Sequence, residues 1–140
     1  MNWPSIITLR FLHQGKVIER LLVFLVAKSP FKNDFPLGFF LTDANGVIRL
    51  KHEELLSKIA KAKAEAPMDY EGTLDDCSGI EIVIDSTEAL YKRIQILKLF
   101  YPENAIEIEK RAQKSCNKNY KNYNLIKKTP IKEELEIELI

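Results

Sequence analysis

The chain has 140 residues, of which 46% are hydrophobic and 29% are charged, proportions typical of folded globular proteins. A chain of this length forms one ordinary domain, so we expect a single domain over residues 1–140. The 21 lysines and arginines nearly balance the 20 aspartates and glutamates. The composition therefore excludes the disordered and fibrous classes, and the overall charge gives no reason to expect nucleic acid as a partner.

The N-terminal residues and the apolar runs predict a cytoplasmic protein that does not enter a membrane. Met1 to Pro4 lack the basic segment of an export signal, and charged residues interrupt the stretch that follows. The longest apolar run, Leu21 to Ala27, has seven residues, whereas about 20 are needed to cross a bilayer. In a chain without an export signal, the two cysteines, Cys77 and Cys116, are expected to be free thiols.

The sequence contains no recognisable catalytic or cofactor motif. The two histidines, His13 and His52, lack the spacing of metal ligands, and no C-x-x-C motif accompanies them. A P-loop, a G-x-G-x-x-G motif and a G-x-S-x-G motif are all missing. We therefore expect no enzyme activity, no cofactor and no bound metal.

The start of the chain predicts a β-hairpin. Ile6 to Leu12 alternates between apolar and polar residues, Val17 to Ala27 is rich in valine, leucine and phenylalanine, and His13 to Lys16 between them suits a turn. The next stretch, Lys28 to Pro36, contains two prolines, an asparagine and an aspartate. Because these residues interrupt regular structure, the stretch is predicted to be a surface loop.

The stretch from Gly38 to Leu50 carries the strongest local signal in the chain. Two apolar runs, Phe39 to Leu41 and Val47 to Leu50, flank a turn that contains Asn45-Gly46. Asn-Gly is a strong hairpin signal because both residues tolerate the positive φ angles of tight reverse turns. The pattern predicts a central hairpin around which the rest of the chain is arranged.

After this stretch the apolar period changes from two to about 3.6, which predicts a helix from His52 to about Ala66. Pro67 is expected to end that helix. Met68 to Gly72 could form a brief strand, followed by a polar loop. Ile80 to Ile84 is apolar enough to be a central strand of a sheet.

The second half of the chain predicts two helices and a final strand. One helix begins at the capping residue Asp85, although Arg93 to Phe100 could instead be a strand. The next helix extends from Pro102 to about Ser115. Asn117 to Asn124 is too polar to pack, and Glu133 to Ile140 alternates acidic and apolar residues as a half-exposed strand at a sheet edge.

These elements amount to six or seven strands and two or three helices in an α+β, mainly β, domain. The strand-T-D-x-x-G-strand pattern from Phe39 to Leu50 resembles the hairpin of transthyretin-like and carboxypeptidase-regulatory-like β-sandwich domains. The resemblance implies a transthyretin-like β-sandwich with packed helices. It also implies a non-catalytic domain that scaffolds, adheres or binds partners. The predicted helix directly after the hairpin departs from the family's pattern.

Charge is distributed unevenly along the chain. From Ala64 to Tyr91 there are eight acidic residues and no lysine or arginine. From Lys92 to Lys132 there are eleven basic residues and three acidic ones. The two stretches either form separate charged faces or neutralise each other across the fold.

We expect a non-enzymatic protein-interaction domain and, in a more specific version, an immunity-type protein that masks a basic surface of a toxin. The partner-binding residues predicted within the acidic stretch are Asp69, Glu71, Asp75 and Asp76. Charge complementarity of this kind accelerates association and selects partners more than it sets affinity. The predicted partner is therefore another protein with a basic surface.

Two other functions remain open. A small-ligand-binding protein or an enzyme would use a pocket between helix and sheet, with Asp43, His52 or Tyr70 as its polar groups. A single-stranded nucleic-acid binder would use residues 110–128, where lysines, tyrosines and asparagines are interspersed. Lysines there could contact phosphates while the tyrosines stack on bases.

Overall fold

The computed structural model describes residues 3–30, 34–65, 73–85, 87–100, 102–117 and 125–139. Over these residues the fold is mixed α/β and mainly β, with eight strands in two sheets and three α-helices. In chain order the elements are β1 (Ile6–His13), β2 (Lys16–Val17), β3 (Leu22–Lys28), β4 (Phe35–Leu41), β5 (Val47–Lys51), α1 (His52–Glu65), β6 (Gly79–Ile84), α2 (Thr87–Phe100), α3 (Pro102–Lys114), β7 (Leu125–Pro130) and β8 (Glu134–Leu139).

Each sheet has four strands. In sheet 1, the central strand β1 pairs antiparallel with β2 and β5 and parallel with β8. Sheet 2 is antiparallel throughout, with the strand order β4-β3-β6-β7. Strands that are neighbours along the chain are thus often in different sheets.

Alternate residues of both sheets meet in one core. Leu9 and Phe11 of β1, Leu25 of β3 and Ile82 of β6 are completely buried in a single apolar cluster. Successive side chains of a strand point to opposite faces, so each sheet turns one apolar face toward the other. Helix α1 adds Leu55 to the same cluster.

A second, smaller core lies on the other face of sheet 2. Leu22 of β3 and Phe39 of β4 pack there against Leu90 and Ile94 of α2 and Ala112 of α3. The apolar spacing of four residues between Leu90 and Ile94 places both side chains on one side of α2. The layers of the molecule are therefore sheet 1, sheet 2 and the pair α2 and α3.

The predicted central hairpin is wrong, although its turn is present. β4 pairs with β3 in sheet 2, whereas β5 pairs with β1 in sheet 1. The turn between them, Asp43 to Gly46, is closed by the Gly46 N–H donating to the Asp43 carbonyl (2.9 Å) and by the Asp43 N–H donating to the Val47 carbonyl (3.0 Å). This crossing turn carries the chain from one sheet to the other.

A buried threonine holds the chain beside the crossing turn. The Thr42 hydroxyl donates to the Ile18 carbonyl (2.6 Å) and accepts from the Leu21 N–H (2.9 Å). These bonds join two segments that both leave one sheet for the other. The sheet change thus depends on contacts between residues more than 20 positions apart, which the local turn signal does not contain.

The first predicted hairpin is correct only at its turn. β1 and β2 are joined by Gln14 and Gly15, both at positive φ (52° and 77°), as in the two-residue turns that suit a hairpin. The pairing covers two residue pairs, after which the chain leaves sheet 1. The predicted strand Val17 to Ala27 is therefore divided into β2 and β3, which belong to different sheets.

A bulge at Leu37 exchanges the two faces of β4. Leu25 of β3 pairs with Gly38 and Val26 pairs with Pro36, so Leu37 is the extra residue of β4, next to Gly38, whose φ is +113°. Leu37 packs between the sheets, whereas Phe39, two residues later, packs beneath α2 and α3. One strand thus contributes to both cores.

The predicted helices are confirmed. α1 begins at His52, and α2 begins two residues after Asp85 and includes residues 93–100, so the strand interpretation of that stretch is wrong. α3 covers Pro102–Lys114. The strand predicted at Ile80 to Ile84 lies between β3 and β7, as expected of a central strand.

The C-terminal strand is also confirmed. In β8 the three glutamates are exposed, whereas Ile137 and Leu139 are buried. β7 was not predicted, because the strand contains two lysines and ends in a proline. Its pairing with β6 compensates for that weak local preference.

Some predictions concern residues that the structure does not describe. The brief strand at Met68 to Gly72 is one of them, and residues 118–124 of the polar stretch are another. Asn117, at the start of that stretch, was predicted not to pack, and this is wrong because its side chain is buried.

Candidate partner-binding surface

The acidic turn, defined here as Thr73 to Asp76, lies at the end of sheet 2 where β3 ends and β6 begins. It contains a short 3-10 helix in which Leu74 is buried in the main core. The Cys77 N–H donates to the Leu74 carbonyl at 3.0 Å and ends the helix. Asp75 and Asp76 are exposed, so the apolar anchor holds two carboxylates at the surface.

Two further hydrogen bonds fix the chain just after the acidic turn. The buried indole Nε1–H of Trp3 donates to the Cys77 carbonyl (3.1 Å). The Ser78 N–H donates to the Lys28 carbonyl at the end of β3 (3.1 Å). The turn is therefore attached to sheet 2 at Lys28 and to Trp3, which precedes β1.

The two aspartates of the acidic turn differ in their contacts. The Asp76 carboxylate accepts from the Thr73 N–H (2.7 Å) and more weakly from the Thr73 hydroxyl (3.4 Å), which caps the 3-10 helix. Asp75 has no hydrogen bond or ion pair with any part of the chain that the structure describes. The other two predicted partner-binding residues, Asp69 and Glu71, lie outside the described residues.

A buried thiol, Cys77, lies next to the acidic turn. Burial, together with the nearby carboxylates of Asp34 and Asp76, raises the pKa of Cys77 to about 11. Asp34 itself is paired with Lys28 (2.7 Å). Although partial burial disfavours its charge, bonds from Lys28 and Ser29 keep the pKa of Asp34 below its ordinary value.

Other acidic residues of the same stretch are neutralised within the fold. Glu81 on β6 lies between Lys28 (3.9 Å) and Lys128 (4.0 Å). Asp85, directly after β6, pairs with Arg93 of α2 at 2.5 Å. The basic stretch thus neutralises the acids on or beside β6, and no described base neutralises Asp75.

Asn117 has a structural role that the sequence did not indicate. Its side chain accepts from the Leu22 N–H (2.8 Å) and donates to the Leu22 carbonyl (3.0 Å), and it lies 3.4 Å from the Asp85 carbonyl. At Leu22, β3 extends beyond the end of β6 and has no strand neighbour on the side where β6 would lie. The amide satisfies the backbone groups that the missing neighbour would have bonded.

Asp43, proposed for a ligand pocket, instead stabilises the crossing turn. Its carboxylate accepts from the N–H groups of Asn45 (2.8 Å) and Val47 (3.0 Å) and pairs with Arg49 (3.3 Å). The bond from Val47, then those from Asn45 and Arg49, lower the pKa of Asp43. Its hydrogen-bonding capacity is therefore largely occupied.

His52 and Asp43 do not share a site, because they flank opposite ends of the five-residue strand β5, about 17 Å apart at the usual rise per residue. The His52 ring lies 6.3 Å from the Trp3 ring, and its buried Nε2 has no hydrogen-bond partner among the described residues. Tyr70, the third residue suggested for a pocket, lies outside the described residues.

The lysine-rich segment 110–128 is divided between elements. Lys110 and Lys114 are exposed on α3, whereas Lys127 and Lys128 are exposed on β7. Its two tyrosines lie among residues 118–124, which the structure does not describe. Alternation of bases and aromatic rings on one surface is therefore not among the described features.

In the described ranges, no three histidine, cysteine or carboxylate side chains are grouped as they would be to hold a metal ion. No described helix is long and apolar enough to cross a membrane. Both cysteines are free thiols. Comparisons with protein-family models, curated proteins and solved structures found no match to this chain.

Proposed function

We propose that this chain is a non-enzymatic protein-interaction domain whose acidic turn binds a basic surface of another protein. The proposal is supported chiefly by the contrast between Asp75, for which no described residue supplies a countercharge, and Asp85, which pairs with Arg93. A carboxylate that the fold leaves unpaired is accessible to a cation from outside. The raised pKa of Cys77 is in keeping with this, because the carboxylates of Asp34 and Asp76 add to the larger effect of burial.

In its more specific form, the proposal is a cytoplasmic immunity-type protein on a transthyretin-like β-sandwich. Two four-stranded sheets around one core support the sandwich. A rigidly anchored acidic turn suits the masking of a basic toxin surface, since it requires little reorganisation on binding. Long-range attraction would accelerate the encounter and would weaken as salt is added.

The test is a quantitative capture experiment with three immobilised baits in native cytosol. The first is the unchanged protein, and the second is the double variant Asp75→Lys/Asp76→Asn, whose asparagine keeps an acceptor for the Thr73 N–H. The third is Glu19→Lys, an exposed charge reversal at the opposite end of the sandwich. We expect a basic protein that the first and third baits retain and the double variant retains at least fivefold less.

Two results would contradict the proposal. Equal recovery of the same proteins by all three baits would show that the acidic turn is only solvated surface. A double variant that fails to fold would show that the fold needs these carboxylates. Circular dichroism of each bait distinguishes this second case from a genuine loss of binding.

A further inference from the structure

The outer edge of β8 differs from both edges of sheet 2. β8 pairs with β1 over six consecutive residue pairs, and β1 is the one described strand that pairs with it. The strand contains neither a proline nor a register shift. An edge strand of this kind presents backbone groups to which another strand can bond.

The edge strands of sheet 2 are each blunted. In β4 the register shift at Leu37 interrupts the strand, and Arg111 of α3 donates to the Phe39 carbonyl (3.2 Å). In β7, Lys127 pairs in register with Ile82, which is buried, yet the lysine itself is exposed. Pro130 ends the strand. These are known devices against pairing with a further strand. On β8, the negative charge of the exposed glutamates is the one feature of this kind.

The glutamates of β8 are the residues whose backbone groups face outward. Thr8 is in register with Glu134, and its N–H donates to the carbonyl of Glu133 (2.8 Å). In a parallel pair the bonds to a neighbour come from alternate residues. The N–H and C=O groups of Glu134, Glu136 and Glu138 therefore point away from β1.

The same residues carry the charge, so the edge selects its partner. A second copy of β8 added antiparallel would place glutamates opposite glutamates, and like charges opposite each other destabilise a strand pair. A strand with alternating basic and apolar residues would place cations beside the exposed glutamates. Its apolar residues would then lie on the face where Ile137 and Leu139 are buried.

We propose that the open edge of β8 binds an extended segment of another protein in which basic and apolar residues alternate, adding a fifth strand to sheet 1. This is strand addition, in which backbone bonds supply affinity and alternate side chains supply specificity. The site is separate from the acidic turn, so it stands or fails independently of the function proposed above.

The probe is a capped eight-residue peptide of alternating lysine and valine, titrated into the intact protein and followed by amide NMR. We expect saturable binding and at least fivefold slower hydrogen exchange at the amides of Glu134, Glu136 and Glu138. A peptide of alternating glutamate and valine should not bind. Absence of binding by the lysine peptide at millimolar concentration would overturn the proposal and leave the glutamates as protection against self-pairing.

Two variants separate the contribution of the backbone N–H to peptide binding from the contribution of the glutamate charge. Glu136→Pro removes an outward N–H, and the bonds to β1 remain because the neighbouring residues make them; we expect at least tenfold weaker peptide binding. Glu136→Gln keeps that N–H and should bind two- to fivefold more weakly. Asp75→Lys/Asp76→Asn should bind the peptide normally. If binding survives Glu136→Pro, or proceeds without protection of the three amides in the unchanged protein, the proposal is wrong.

Discussion

Two turns of this molecule carry aspartates and differ in what those carboxylates contact. In the crossing turn, Asp43 accepts two backbone hydrogen bonds and pairs with Arg49. In the acidic turn, Asp76 caps a short helix, and Asp75 has no partner among the residues described. Both turns are polar stretches between apolar elements, so composition alone does not show which carboxylates the fold uses for its own hydrogen bonds.

The difference shows that hydrogen-bond partners, rather than acidity, identify a candidate binding residue. A carboxylate that satisfies backbone N–H groups contributes to folding, and its removal leaves those donors without a protein partner. A carboxylate without such contacts can be replaced with little effect on the fold. Substitutions in the two turns separate these two cases.

The largest effect is expected for Gly46→Val in the crossing turn. A Cβ at Gly46 would lie 2.8 Å from the Phe11 carbonyl oxygen and 3.0 Å from the Ile18 nitrogen, at a φ of +72°. Strain and overlap together should cost about 3 kcal/mol of unfolding free energy. Gly15→Val is the matched control, because Gly15 has a similar φ of +77° but no atom within 4 Å of its Cβ position. If urea denaturation shows that Gly46→Val and Gly15→Val lose the same unfolding free energy, the overlap at Gly46 has no effect.

Asp43→Ala should destabilise the protein by about 1–2 kcal/mol, because it removes the acceptor for two backbone N–H groups. Asp75→Ala, the matched change in the acidic turn, should alter the unfolding free energy by less than about 0.5 kcal/mol. Urea denaturation of the two variants measures the difference. Similar losses for both would remove the distinction between the turns.

The effect of Asp43→Ala should also depend on pH. The folded state lowers the pKa of Asp43, chiefly through the bond from Val47, so its charge stabilises the protein above the unfolded pKa of about 3.9. That contribution is lost as the pH falls through the folded pKa. Denaturation at several pH values should therefore show the variant approaching the unchanged protein below about pH 4. A difference that stays constant down to pH 2 would contradict the proposed role of the charge.

Within the acidic turn, Asp76→Ala should cost about 1 kcal/mol, since it removes the acceptor of the Thr73 N–H bond (2.7 Å). Asp76→Asn retains an acceptor and should cost less than half as much. Thermal unfolding at pH 7 distinguishes the two variants. If both lose equal stability, the negative charge and not the capping bond is what matters at this position.

The smallest effect is expected for Asp75→Lys, which should change the unfolding free energy by no more than about 0.5 kcal/mol. Relief of the repulsion between Asp75 and the adjacent, like-charged Asp76 should make the variant slightly more stable. Glu19→Lys provides a comparison for an exposed reversal elsewhere. A loss of more than 1 kcal/mol, measured by denaturation at low salt, would show that Asp75 supports the fold.

The sequence predicted elements better than their arrangement. The alternation in β8 and the helical spacing of α1 are local patterns, and both elements formed where predicted. The Asn45-Gly46 signal predicted a chain reversal, but the pairing of the flanking strands is decided by distant contacts such as those of Thr42 with Ile18 and Leu21. Such contacts leave no trace in a local window.

Side chains whose role depends on distant partners were also missed. Asn117 resembles the other asparagines of its polar stretch, yet it bonds β3 at Leu22, 95 residues earlier. Asp85 and Asp75 belong to one acidic stretch, but Arg93 pairs with Asp85, whereas no described base pairs with Asp75. The segmental charge does not distinguish these two aspartates; the contacts among the described residues do.

If the acidic turn attracts a basic partner, the rate of association must depend on salt and on the charge of the turn. The measurement is the association rate constant of the captured partner, at salt concentrations from 25 to about 300 mM, a range over which the Debye length falls severalfold. For the unchanged protein and Glu19→Lys we predict the same steep decrease with salt. For Asp75→Lys/Asp76→Asn we predict association at least tenfold slower at low salt and a nearly flat salt dependence. If all three proteins show the same rate and the same slope, the acidic turn is not the binding surface.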